Sequence, residues 1–142
     1  MLDTVRLSVG VPGLSSGDLL RRGWDIHTKT SLHGGDVWAT CELDRVRMRY
    51  GSGFGWLTAE CSLPHLVKGD NSLLLSWDDC QMALGVIRDT ACDASAYCLP
   101  ELDQWRMTRF DPVWAWPVDP TPYIGALRFA RLPRTQARSY GT

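Results

Sequence analysis

Apolar and polar residues alternate from the start of the chain, with Val5, Leu7 and Val9 on one side and Thr4, Arg6 and Ser8 on the other. A period of two predicts a half-buried strand, which Pro12 and Gly13 end. Residues 15–24 offer a short helix beginning at Ser16 or Asp18, weakened by Gly17 and Gly23. Stretches 28–32, 37–41 and 45–50 then read as short strands of an antiparallel meander, punctuated by Gly34-Gly35 and Gly51-Ser52-Gly53. In the next strand, 54–63, Leu57, Ala59, Cys61 and Leu63 are expected to face the core, and Thr58, Glu60 and Ser62 to face away.

From 76 to 98 the period changes. Trp77, Cys80, Leu84, Ile87, Ala91, Ala94 and Cys98 recur at steps of three and four, which predicts an amphipathic helix packed on a sheet. Ser76 is its expected N-cap, with Asp78 and Asp79 complementing the dipole. Pro100 ends it. A strand over 105–116 follows, with Trp105, Met107, Arg109 and Asp111 on one side and Arg106, Thr108 and Phe110 on the other. Thr121 and Pro122 open a second helix carrying Tyr123, Ile124, Leu127 and Ala130, and Pro133 closes it. The predicted fold is α+β, an antiparallel sheet of about five strands with two helices packed on one face. It is a single domain over 1–142, with 133–142 as a basic tail.

Composition adds limits. With 142 residues, 44% of them hydrophobic, the chain can fill one core. Fifteen basic and sixteen acidic residues leave a formal charge of −1, so overall charge names no partner. The distribution says more. Seven acids against Arg88 alone between Asp70 and Asp103 make the long helix acidic outside, a face that DNA would avoid. Beyond Asp119 only Arg128, Arg131, Arg134 and Arg138 are charged, leaving −5 on the rest. No apolar run approaches the ~18–20 residues of a membrane span, and no secretory signal opens the chain, so the expected location is cytoplasmic, with no membrane partner. Five cysteines without a C-x-x-C pair are expected to be reduced and mostly buried. The seven tryptophans could fill a core or stack on bases, burial being the expected fate of most.

His27, His33 and His65 have no metal-ligand spacing and are expected at the surface or in turns. Phosphate-cradling glycine patterns and a G-x-S-x-G elbow are absent, and Gly51-Ser52-Gly53 reads as a hairpin loop. Asp111 carries more chemistry. A carboxylate on an apolar strand must be paired, hydrated or metal-bound. One reading pairs it with Arg109; the other makes it a ligand for Mg²⁺ or Mn²⁺, with Glu60 on a neighbouring strand as the second carboxylate. The terminal arginines likewise read either as a solvated tail or as phosphate contacts, with Tyr123 or Tyr140 able to stack on an unpaired base.

The stretch Ser62-Leu63-Pro64-His65-Leu66-Val67-Lys68-Gly69-Asp70-Asn71 resembles the S-L-P-K-L-L-x-G-x-N segment of the gene II/X family of rolling-circle replication initiators from filamentous phages and related plasmids. Met1 to Leu7, the acidic helix, and the strand with Arg109-Phe110-Asp111 are similar to that family's pieces, in the same order. The resemblance implies a replication initiation protein that binds origin DNA, in duplex or single-stranded form, and nicks it with a divalent metal and a tyrosine nucleophile. Arg109 and Asp111 match its R-x-D motif and so become the implied catalytic residues. His65 stands where the family has Lys, and Ala115 where related initiators often have a second acid. The family's nucleophilic tyrosine lies beyond a point like Thr142, so the chain is expected to be an amino-terminal part lacking that portion. The alternative expectation is a catalytically silent module that binds DNA or another protein.

Overall fold

The computed structural model describes residues 2–31, 34–69 and 75–112. Their order is β1 (Leu2–Gly10), α1 (Ser16–Arg21), β2 (Asp25–Ser31), β3 (Gly34–Leu43), β4 (Val46–Gly51), β5 (Trp56–Ser62), α2 (Leu63–Lys68), α3 (Trp77–Ser95), a short 3₁₀ turn (Leu102–Gln104) and β6 (Arg106–Pro112). The fold is α+β, as expected. One open antiparallel sheet runs β2-β3-β4-β5-β1-β6, so it has six strands rather than about five.

Alternation decides which face is buried. Val5, Leu7 and Val9 of β1, Val46, Met48 and Tyr50 of β4, and Leu57, Ala59 and Cys61 of β5 join Leu19 of α1, Leu63 of α2 and Ile87 of α3 in one core. Burial pushes the Cys61 thiol up to about 12, with Glu60 next to it adding to the effect, so it stays protonated and unreactive near neutrality. The five cysteines are free thiols, but only Cys61 and Cys80 are buried rather than most of them; Cys41 and Cys92 are half-buried and Cys98 is exposed.

Helix α3 starts where its cap was predicted. The Asp79 backbone N–H donates to the Ser76 hydroxyl at 3.1 Å and the Ser76 N–H donates to the Asp79 carboxylate at 3.1 Å, a reciprocal capping box. Those bonds from Ser76, backed by Lys68, hold the Asp79 carboxyl below its ordinary range. The buried stripe differs from the one predicted: Cys80, Ala83, Ile87, Thr90, Ala91 and Ser95 face the sheet, while Trp77 is 70% exposed and Cys98 is exposed. Small side chains let the helix sit close to the strands, and Ser95 satisfies its hydroxyl on the Ala91 carbonyl at 2.7 Å. At the far end Ala96 adopts φ 44° and ψ 38°, a left-handed conformation costing a residue with a Cβ roughly 1–2 kcal/mol. Ala96→Gly is therefore expected to raise the unfolding free energy by about 0.5–1 kcal/mol after glycine's greater unfolded-state entropy. The readout is a higher urea midpoint at unchanged slope; a lower midpoint would contradict the strained cap.

The segment after Ser62 is a short helix, α2, which Pro64 starts and Gly69, at φ 75°, ends. Two further expectations are corrected. Strict alternation along β6 fails at a bulge: Arg109 pairs with Arg6, but Met107 pairs with Leu7 and Arg106 with Ser8, leaving Thr108 as the extra residue. Arg106 thereby joins Arg109 and Asp111, and Met107 moves to the other face with Phe110. Burial is also not the fate of most described tryptophans, since only Trp24 and Trp105 are buried. The helix expected from Thr121 and the basic tail 133–142 lie outside the described residues. Among the described residues no helix is long and apolar enough to cross a membrane.

Candidate functional site

The sheet face opposite the core is built by the polar half of each strand. Cross-strand register places Glu42, Arg47, Glu60, Arg6 and Arg109 in one rung from β3 to β6, and Thr40, Arg49, Thr58, Ser8 and Arg106 in the next. A third rung reads His27, Trp38, Gly51, Trp56 and Gly10. One open surface therefore carries five arginines with two tryptophans, and Phe54, 84% exposed, rises from the β4–β5 turn beside it.

The first rung holds Glu60, and Asp111, opposite Thr4, adjoins it at Arg109. Glu60 accepts from the Arg6 Nε at 2.7 Å on one oxygen and from the Arg109 Nη1 at 3.1 Å on the other. Arg109 also makes a two-pronged pair with Asp111, at 3.2 Å from Nε and 2.7 Å from Nη2. Arg109, Asp111 and Glu60 are thus brought together, with Arg109 between the two acids. The donor atoms suit a hard cation, but a cation bridging the carboxylates would compete with Arg6 and Arg109 for the same lone pairs. Among the described residues no group of three His, Cys, Asp or Glu is placed to hold a metal. Arg47 lies 3.6 Å from Glu42, so the rung largely neutralises itself.

The second rung is different. Among the described residues neither Arg49 nor Arg106 is in an ion pair. Each guanidinium lies over an indole instead, Arg49 at 5.1 Å from the Trp38 ring centre and Arg106 at 5.3 Å from that of Trp56. This contact holds the cation on the π face of the ring without engaging a carboxylate. His27 stacks on Trp38 at 5.6 Å and bonds Thr40 at 2.9 Å, a surface role in line with expectation; His65 is half-buried on α2, and His33 lies outside the described residues.

A cleft of about 650 Å³ follows this face past Arg6, Arg49, Trp56, Glu60 and Thr108. Another of about 350 Å³ borders Lys29 and Trp38 and shares Arg49, Gly51 and Phe54 with the first. A third, about 550 Å³, lies between α1 and the end of α3, where Arg21 is engaged by Asp18.

Sequence reasoning selected Arg109, Asp111 and Glu60 but missed Arg6, Arg47, Arg49, Arg106, Trp38 and Trp56. A signal was present in Arg45-Val46-Arg47-Met48-Arg49-Tyr50, where arginine takes every second position of a strand whose other face is apolar. Arg128, Arg131, Arg134, Arg138, Tyr123 and Tyr140 lie outside the described residues. No protein-family model, curated protein or solved structure matches the chain.

Proposed function

We propose that this protein binds single-stranded DNA across the open face of its sheet. One observation carries the reading: the paired guanidinium and indole groups Arg49 on Trp38 and Arg106 on Trp56, on one exposed face. Aromatic rings stack on unpaired bases whatever their sequence, and arginines beside them neutralise phosphates. In duplex DNA those base faces are already covered by their neighbours, so stacking favours a single strand. Glu42, Glu60 and Asp111 sit on the same face and arginines hold them, which lowers their repulsion of a phosphate. Asp25 and Asp36 also lie on it, at the β2–β3 edge, so the phosphate path runs on the β4–β6 side. The acids Asp78, Asp89 and Asp93 lie on α3, on the core side of the sheet, so the charge asymmetry orients a polyanion toward the open face.

The resemblance to rolling-circle initiators makes the strand that of a plasmid or phage replication origin. Cleavage through Mg²⁺ or Mn²⁺ on Asp111 and Glu60 would need lone pairs that Arg6 and Arg109 occupy, so the geometry supports the binding module over the nicking enzyme. Titration with a single-stranded oligonucleotide is expected to quench tryptophan fluorescence, and log affinity to fall with log salt by about 0.7 for each phosphate neutralised. A duplex of the same sequence should bind more weakly. Undetectable binding at low salt, or preference for the duplex, would overturn the proposal.

A further inference from the structure

Gly51 opens the β4–β5 turn, its carbonyl accepting from the Phe54 and Gly55 N–H groups, yet among the described residues no side chain fills the space above it. It ends β4 without a positive φ, and a Cβ added there would meet no atom within 4 Å. A glycine in a strand weakens it, and where no bend or bulge calls for one it often marks the close approach of something else. Its cross-strand partners are Trp38 on β3 and Trp56 on β5.

We propose that Gly51 floors a slot that admits one unpaired nucleobase of the bound strand between Trp38 and Trp56, a placement that rests on the single-strand reading above. Strand spacing of about 4.8 Å sets the two tryptophan backbones about 9.6 Å apart. Two stacked contacts with ring centres about 4.5–7 Å apart span about 9–14 Å, so one ring fits between the indoles and two do not. The two clefts meet over this position. The outer side of the rung is already furnished, since His27 stacks on Trp38 and Arg106 lies over Trp56. Arg49 lies over Trp38 from the β4 side, so the entering base takes its place on the indole and the displaced guanidinium, still within both clefts, meets the phosphate of the inserted nucleotide. Phe54 on the adjoining turn borders both clefts.

The test is Gly51→Val, which fills the floor with a β-branched side chain suited to a strand and leaves every charge in place. Wild type and variant, shown to melt alike, are titrated with an oligothymidylate and with an abasic oligomer of equal length. Stacking lost at one base predicts about 5- to 150-fold weaker oligothymidylate binding by the variant, reduced tryptophan quenching, and equal binding of the abasic oligomer by both proteins. Trp56→Leu, which keeps apolar volume but removes the stacking face, should reproduce the loss. If wild type binds oligothymidylate and Gly51→Val binds it equally well, the slot is overturned and the single-strand reading stands. If wild type binds neither oligomer, the single-strand reading falls and the slot with it. Should free thymidine monophosphate bind as tightly as the oligomer, the occupant is a mononucleotide and the assignment to a strand is overturned.

Discussion

Trp24→Ala is expected to lower the unfolding free energy by about 3–5 kcal/mol, the usual cost of emptying a large aromatic site in a core. Trp24 lies just before β2, is only 2% exposed, and donates from its indole nitrogen to the Ala94 carbonyl of α3 at 2.9 Å. That carbonyl sits in the last turn of the helix, where no N–H from the helix itself can reach it. Two losses therefore combine, a cavity and a partly buried acceptor without its donor. Against a total of about 5–15 kcal/mol for an ordinary domain, the variant would be close to unfolded at 37 °C. Urea denaturation followed by far-ultraviolet circular dichroism measures the effect. Trp24→Phe should lose less, because the ring volume is largely kept. A cost below about 1 kcal/mol for the alanine variant would contradict this packing.

The largest expected effect on binding belongs to Arg49→Glu combined with Arg106→Glu. Hydrogen bonds to charged groups contribute about 1.5–3 kcal/mol each, so losing two guanidiniums from the phosphate path should weaken single-strand binding on the order of 100-fold or more. Two fewer phosphate contacts should also flatten the salt dependence, by about 1.4 in log affinity against log salt. Both side chains are exposed and neither is in an ion pair among the described residues, so thermal stability should hold. Reversing Asp78 and Asp89 on the acidic helix is the control and should leave the salt slope as it was. An unchanged slope in the double arginine variant would mean that phosphates do not follow the second rung.

Much of the architecture can be read directly from residue order. Val5, Leu7 and Val9 announce a strand, and Leu57, Ala59 and Cys61 announce both another strand and its buried side. Ser76, with acids directly after it, marks the start of α3. Such signals survive because strand alternation and helix capping depend on residues a few positions apart. The candidate site was only partly legible. Asp111 and Glu60 are visible as carboxylates needing partners, yet Arg6, which holds Glu60, is 54 positions away and carries no mark of that pairing. The aromatic face was missed because composition treats seven tryptophans alike, whereas Trp24 and Trp105 are buried and Trp56 is 36% exposed.

By itself, then, the order of residues determined which stretches become strands, which side of most of them is apolar, and where the long helix begins. Tertiary structure alone decided that β1 lies between β5 and β6, and that a bulge at Thr108 turns Arg106 onto the arginine face. It also decided that Gly51 stands between two tryptophans. The physical reason is that alternation assigns a side chain to a face through its own backbone, while strand neighbours and register are chosen by hydrogen bonding and packing between segments far apart in the chain.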